Sequence, residues 1–590
     1  MTCIRHSTPA QRTMHLCISL LFMMILLTAP DAHGQPAGLQ ITITGLPDEI
    51  RDTVQKSLSL YAQKDHPLLN EALIRRLHKQ AAGEIGRALQ PFGYYRARVK
   101  SRLTHTGQQW EAQYRVDPGT PVRLSTVDVT LTGPGKSDPV LKGWLNDFPL
   151  HIHDILIHKT YEDAKQELLQ LARDRGYFDG ELVTHEIRVN LEQYQADLSL
   201  HYVTGPRYHF GAVTFVQDEF DDSFLKRYLP FHEGDPYDTT RLLRLRRALS
   251  DSDYFDRIDV TPQTEQPVDQ AIPVTVKLVA RKKHRYLAGV GYSTDTGARG
   301  TLGFENRRAN SFGHHYDITL KKSEIRSSAN ARYLVPMQRP QLDYLTYSIG
   351  WVDENTDTTQ RTTSSIAVDV TRQIRHWQQT TGLSYERERY KLGNRDNSTL
   401  LIPRAQWQRV RADRRIHTGE GWSIGLEARG ASDAVLSDTS FMQGRVDAKY
   451  IYSFPNRNRL LLRTSGGASW TPELVELPAS QRFLAGGDQS IRGYAYNSLG
   501  PSDDSGDVIG GKDLLVGSAE YEFNLTGKTN LALFFDAGNA FNTDEFDVKR
   551  GAGFGFRWQL PIGAIRIDLA CALDRPGDPW RLHLTLGPDL

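Results

Sequence analysis

LLVGSAEYEFNL, Leu514–Leu525, alternates in chemistry from Gly517 onward. Leu515, Gly517, Ala519, Tyr521 and Phe523 fall on one face, and Glu520 and Glu522 fall on the other. A period of two belongs to a β-strand. NLALFFDAGNAF, Asn530–Phe541, repeats the arrangement, with Leu531, Leu533 and Phe535 opposite Asp536. The same texture extends to LTYSIGW (Leu345–Trp351), WSIGLEA (Trp422–Ala428) and WRLHLTL (Trp580–Leu586). From about His284 onward helical periodicity is missing, and about sixteen such segments recur. Propeller blades would repeat in sequence, whereas these segments share only a pattern. The reading is a 16-stranded antiparallel transmembrane β-barrel over 284–590, with its apolar faces toward lipid.

Upstream, three related units of about 80 residues precede the barrel. Their marks are Gly93-Tyr94-Tyr95, Gly176-Tyr177-Phe178 and Asp253-Tyr254-Phe255. Each mark follows a helical pattern, such as Glu162–Gly176 with Ala164, Leu168, Leu169 and Ala172 on one face. Each also precedes two short strand patterns, and each unit opens with a strand. The order βααββ predicts one small α+β domain used three times, at 35–120, 121–206 and 207–283.

The N-terminus reads as a secretory signal over 1–34. Arg5 and Arg12 precede the apolar run Leu16–Leu27, and Ala32-His33-Gly34 offers a small-x-small cleavage site before Gln35. That run is shorter than the roughly 18 residues a helical span needs, and no later run reaches that length. Cys3 and Cys17 would leave with the signal, so Cys571 remains without a partner for a disulfide. The 71 Lys+Arg against 70 Asp+Glu give no electrostatic case for a nucleic-acid partner. A mean hydropathy of −0.48 is compatible with a barrel, half of whose strand positions are polar.

Chemistry-bearing motifs are weak. Gly421-Trp422-Ser423-Ile424-Gly425 fits the hydrolase elbow on paper, but Ser423 lies inside a strand with no helix after it. His151, His153 and Asp154, and the pair His314 and His315, lack a second ligand pair at metal-site spacing. No phosphate-binding loop is present. The expectation is no enzyme, no cofactor, no metal and no nucleotide. The basic run Arg281–Arg285 reads as a solvated hinge; the alternative is contact with anionic headgroups, at about 1 kcal/mol per basic residue.

One long segment stands out. Residues 471–512 connect two strands and contain SIRGYAYNSLGP, Ser490–Pro501. A connection of that length suits an extracellular loop, which a barrel can fold inward. Strand alternation aims Glu520 and Asp536 into the lumen such a loop would fill. Arg492 is the matching cation, because a guanidinium fork binds carboxylates bidentately. Gly493 permits an unusual backbone angle at the tip, and Tyr494 can pack on the wall.

Taken together, these features resemble the POTRA-plus-barrel outer-membrane assembly superfamily, whose inward sixth loop bears an (V/I)RG(F/Y) motif matched by Ile491-Arg492-Gly493-Tyr494. Gly234-Asp235-Pro236-Tyr237-Asp238 in the third repeat, Gly510-Gly511, Phe535–Asn539 and Gly551–Ala570 are similar to further signatures. Within the superfamily the three repeats, the first strand Gly289–Gly297 and the ending LTLGPDL look like the TamA family. The resemblance implies a non-enzymatic factor in the outer membrane, with its repeats in the periplasm. It implies insertion of autotransporters and other β-barrel proteins through a lateral seam, placed at Gly289, Val290 and Gly291 against Leu584 and Leu586. The implied partners are a TamB-like inner-membrane-anchored periplasmic protein, unfolded outer-membrane substrates and outer-membrane lipids. Rival readings are a two-partner-secretion-type transporter, a lipid-transport channel and a passive pore. One departure is the C-terminus, where Gly587-Pro588-Asp589-Leu590 replaces a terminal aromatic and Pro588 cannot donate to a ladder.

Overall fold

The computed structural model describes residues 38–587, apart from 68, 108, 357, 393–394, 415–416, 544, 561–562 and 578. The signal-like segment, its two cysteines and Pro588 lie outside the described residues. The chain divides into two units, one running to His209 with Pro236–Asp238, the other comprising Phe210–Asp235 and Thr239–Leu590.

The first repeat contains β1 (Gly38–Thr44), helices Asp48–Ser57, Ser59–Ala62 and Glu71–Leu89, then β2 (Arg98–Thr106) and β3 (Gln109–Asp117). Its long helix starts where the Asn70 side chain accepts a hydrogen bond from the Leu73 amide at 2.9 Å. Ile74, Leu77, Ala81, Ile85 and Leu89 then recur at helical spacing and bury against Trp110, Ala112, Tyr114 and Val116, the alternate residues of β3. Each such side chain stabilises the repeat by about 1.5–3 kcal/mol relative to exposure. The second repeat has β4 (Arg123–Thr132), helices Pro139–Asn146 and His158–Asp174, β5 (Glu181–Asn190) and β6 (Gln195–Val203). The third has β7 (His209–Val216), helices Asp222–Lys226 and Thr239–Asp251, β8 (Phe255–Pro262) and β9 (Ala271–Ala280). The three sheets have the same order, β1-β3-β2, β4-β6-β5 and β7-β9-β8. The repeated sequence mark has a backbone cause. Gly93, Gly176 and Asp253 follow the long helices in the left-handed region, at φ 86°, 84° and 59°, where the chain reverses into the next strand.

Asp253 also shows why the third mark differs. Its carboxylate pairs with Arg281 and with Arg307 at 2.9 Å, so the first residue of the basic run is held rather than freely solvated. The Tyr254 hydroxyl donates to the Gly313 carbonyl, and the Phe224 ring packs where a side chain at Gly313 would stand. The third repeat is thereby fixed to the barrel connection that contains Gly313. Of the GDPYD stretch, Asp235 accepts from the His232 amide at 3.0 Å and from Arg241 at 2.8 Å. Tyr237 is buried beside Phe178, and Asp238 pairs with Arg175 at 2.8 Å. Asp235, Tyr237 and Asp238 are thus occupied in turn formation and packing.

The remaining strands are β10 (His284–Ser293), β11 (Gly297–Asn306), β12 (His315–Lys322), β13 (Arg326–Pro336), β14 (Tyr344–Asn355), β15 (Gln360–Ile374), β16 (Trp377–Leu392) and β17 (Arg395–Ala412). They continue through β18 (Gly421–Ala431), β19 (Phe441–Ser453), β20 (Arg459–Trp470), β21 (Asp513–Asn524), β22 (Thr529–Phe541), β23 (Lys549–Leu560), β24 (Gly563–Ala572) and β25 (Trp580–Gly587). They form one sixteen-stranded sheet in sequence order, antiparallel throughout. Alternation sorts its faces. Tyr347, Ile349 and Trp351 are 47%, 63% and 41% exposed outward, while Thr346 next to them is buried inward. Such a wall needs lipid around it. No helix among the described residues is long and apolar enough to cross a membrane; the crossing elements are strands.

Candidate functional site: a lumenal ion cluster beside an unpaired seam

The connection 471–512 is the sixth at the barrel end opposite the entry to β10. It folds on itself through bridges Phe483–Gly511, Ala485–Leu499 and Ser502–Val508. Its apolar residues Phe483, Ala485, Ile491, Tyr494 and Leu499 pack on Leu514, Val516, Ala540 and Ala572, inward positions of β21, β22 and β24. The inner wall is apolar where the loop lies on it, so the loop is held by burial as well as by charge.

Arg492 is the centre of the polar contacts, at 4% exposure. Its Nε and Nη2 donate to the two Asp536 oxygens at 2.8 and 2.9 Å, and its own backbone amide reaches Asp536 at 3.0 Å. Nη1 donates to Glu520 at 2.7 Å and to Asp568 at 3.2 Å. The guanidinium stacks 3.5 Å from the Phe534 ring centroid. A second cation completes the cluster: Arg557 donates twice to Glu520, at 2.9 and 2.7 Å, and once to Asp568. Two arginines therefore share three largely buried carboxylates. Removing one member leaves buried charge uncompensated, at a cost of about 3–5 kcal/mol. Glu522 also points inward; it pairs with Arg459 at 2.7 Å and borders the cluster through Arg557 at 3.7 Å.

Gly493 follows with φ 97°, and a side chain there would meet the Ala572 amide nitrogen at 2.7 Å. The loop tip is thus pressed on the backbone of β24. The Gly493 amide donates to His583 Nε2 on β25 at 2.9 Å. Nε2 is therefore an acceptor, Nδ1 carries the proton, and that proton goes to Asp488 Oδ1 in the loop. Asp295, Asp488 and His583 sit close enough to suggest a cation site. The imidazole has no lone pair left for one, so the trio reads as a hydrogen-bonded chain. Elsewhere His151 and Asp154 form a surface turn, and His314 hydrogen-bonds Tyr333 at 2.9 Å.

The sheet does not close by a ladder. Among the described residues β10 pairs with β11 and β25 with β24, and no ladder joins β10 to β25. Side chains span the gap instead. The Leu584 amide donates to Thr294 Oγ1 at 3.2 Å, and Ser293 donates to Asp488 Oδ2 at 2.9 Å. The Asp488 amide in turn donates to Asp295 at 2.6 Å. Gly289, Val290 and Gly291 oppose Thr301, Gly300 and Arg299 of β11, and the Val290 side chain is 96% exposed on the outer face. The recorded contact between end strands lies beyond them, at Ser293–Asp295 facing His583 and Leu584. Leu586 lines a lumenal cavity of about 450 Å³ with Asp295, Asp488 and Tyr496.

Arg557 and Asp568 were legible by the rule that located Glu520, since Phe556 and Trp558 flank one and Ile567 and Leu569 flank the other. Asp488 was not, because no periodicity assigns a direction to a residue in an irregular loop.

Residues 310–588 match the Omp85 superfamily domain, 40–118 match a POTRA domain described as TamA domain 1, and 208–281 match a POTRA repeat described as surface antigen variable number repeat. The outer membrane protein assembly factor BamA of Nitratidesulfovibrio vulgaris is 25% identical over 388 residues, covering 60% of this chain and 47% of that protein. BamA of Neisseria meningitidis serogroup B is 23% identical over 421 residues, covering 64% and 52%. The chain spans about half the length of these curated relatives. The crystal structure of BamA from Haemophilus ducreyi lacking POTRA domains 1–3 superposes with a TM-score of 0.67 at 18% identity, covering 79% of this chain and 99% of that one. That likeness shows the fold, and the matched Omp85 and POTRA domains place the barrel in the outer membrane with the repeats on the periplasmic side. Residues 310–588 are thus an Omp85 superfamily domain, carried behind POTRA domains in one polypeptide.

Proposed function

We propose that this protein is an outer-membrane assembly factor that inserts β-barrel proteins, autotransporters among them, through the seam between β10 and β25. The observation that carries this reading is the seam itself, where side chains of one loop take the place of a backbone ladder. An unpaired strand edge in a membrane is costly until another strand pairs with it. A substrate strand satisfies the edge by β-augmentation, and burial of the folding substrate supplies the driving force without nucleotide. The loop fits such a cycle, because Asp488 contacts both sides of the gap while Arg492 stays fixed to the wall.

A TamB-like inner-membrane-anchored partner belongs to this reading, supported by the family description that the first repeat matches. The protein then works without catalytic residues or cofactor. A passive pore is disfavoured by the loop core packed inside the lumen on β21, β22 and β24. The test is reconstitution of the chain in proteoliposomes with an unfolded autotransporter barrel. The reading expects heat-modifiable, protease-protected substrate above the level in empty vesicles; equal levels contradict it.

A further inference from the structure

The rim of the barrel beside the seam has a second feature, on β10–β13, that the insertion reading does not use. Several lumenal arginines of this barrel pair with carboxylates: Arg332 with Asp317, Arg361 with Glu354, Arg404 with Asp369 and Arg459 with Glu522. Four exposed cations near the extracellular end differ from these. Arg299, Lys321, Lys322 and Arg326 have no recorded carboxylate partner among the described residues. The nearest cross-strand acid, Glu354 opposite Arg326, is occupied by Arg361 at 2.7 Å. Glu324 in the adjoining turn accepts from the Ala298 amide at 3.0 Å.

These cations border two hollows that share one wall. Inside, a cavity of about 310 Å³ is lined by Arg299, Arg326 and Tyr496. Outside, an apolar groove of about 420 Å³ is lined by Ala288, Val290, Leu302 and Leu320. Gly300, Thr301, Lys321 and Lys322 line both. The register explains the groove. Val290, Gly300 and Lys322 stand in one cross-strand row, as do Ala288, Leu302 and Leu320 in the row below. Gly300 has open space where a side chain would stand, so the upper row is notched between Val290 and Lys322. A lipid-facing notch capped by an ammonium suits an acyl chain with an anion above it. The unpaired cations on the lumenal side of the same rim call for more than one negative charge.

From this arrangement we propose that β10–β13 form a binding site for a bisphosphorylated outer-leaflet lipid, with an acyl chain in the Gly300 notch and the phosphates on Lys322, Lys321, Arg299 and Arg326. The occupant is committed by the join of an apolar groove to an unneutralised basic rim. The site borders the seam strand, so a lipid bound there lies beside the edge that a substrate meets.

The test is native mass spectrometry of the full chain released from dodecyl maltoside micelles containing bisphosphorylated lipid A. Wild type is expected to retain the lipid. The variant R299Q/K321Q/K322Q/R326Q is expected to lose at least about tenfold in retention, and Gly300→Leu, which fills the notch, a similar factor. Folding of each is checked by the heat-induced gel shift. Should the quadruple variant not fold, Lys322→Gln at its exposed position carries the test, with an expected loss of about threefold. Unchanged retention in the charge variants or in Gly300→Leu overturns the proposal. Complete displacement of lipid by equimolar inorganic pyrophosphate overturns the acyl-chain half. Displacement by equimolar hexaglutamate assigns the cations to a polypeptide instead, which also overturns it.

Discussion

Ser293 at the end of the first barrel strand donates a hydrogen bond of 2.9 Å to Asp488 in the long loop, and Asp488 receives the His583 ring proton from the last strand. One loop carboxylate thus bridges the only place where this sheet, among its described residues, lacks a ladder. Asp488→Ala is expected to free the edge of β25 without disturbing Arg492. The Leu584 amide, now donating to Thr294 at 3.2 Å, is then expected to exchange with deuterium about tenfold faster, as befits loss of about 1.4 kcal/mol of local protection. Unchanged exchange at Leu584 would mean that Asp488 is not a closing element.

Arg492 separates charge from fork geometry. Arg492→Lys keeps a cation beside Asp536, Glu520 and Asp568 but cannot span both Asp536 oxygens. Barrel stability is expected to fall by about 1–2 kcal/mol for Lys and about 3–5 kcal/mol for Ala. The temperature of the heat-induced gel shift should therefore rank wild type above Lys above Ala. A single temperature for all three would make the cluster energetically idle.

Asp253 carries two roles, a left-handed turn and a double ion pair. Asp253→Gly restores the residue of the first two repeats and keeps the turn, so any defect reports the lost pairs with Arg281 and Arg307. The expected cost is about 1 kcal/mol, given the carboxylate's partial exposure. Limited proteolysis should then cut more readily near Arg281–Lys283 while the barrel stays heat-modifiable.

Acid sensitivity is expected in the first repeat. His78 hydrogen-bonds the Tyr114 hydroxyl at 2.8 Å, and burial holds its pKa below the ordinary value of 6.5. A lowered folded pKa means that the unfolded chain takes up the proton first. The stabilisation is complete above about pH 6.5 and is lost as the pH falls from there through the depressed folded value. Intrinsic-rate-corrected hydrogen exchange in helix Glu71–Leu89 should quicken between pH 7.5 and 5.5, and His78→Gln should flatten that dependence.

How far the sequence carried can be argued residue by residue. The period of two in Leu514–Leu525 and its fellows announced the barrel, and it also pointed Glu520 and Asp536 inward, where Arg492 meets them. The same rule covered Arg557 and Asp568, although they did not stand out among the other inward polar residues. What alternation cannot supply is distance across a gap. His583 was placed inward by its neighbours Leu582 and Leu584, yet its bond to Asp488 depends on how an irregular loop of some forty residues folds. The level at which the end strands meet was illegible for a related reason: strand identity says which edges face each other, while the hydrogen bond between Leu584 and Thr294 depends on the turn Ser293–Asp295. Asp253 was read as a repeat mark, and its departure from glycine was the unread signal of the ion pairs.

The central claim is that the β10–β25 seam must open for insertion. The direct measurement places cysteines at Thr294 and Leu584, where the Leu584 amide already lies 3.2 Å from Thr294 Oγ1, in a Cys571→Ser background, and joins them with a short reducible thiol crosslinker. The account predicts that proteoliposomes of the crosslinked protein insert no substrate barrel above the level of empty vesicles, and that reduction restores insertion. Equal insertion before and after reduction, with crosslinking verified on gels, would contradict it.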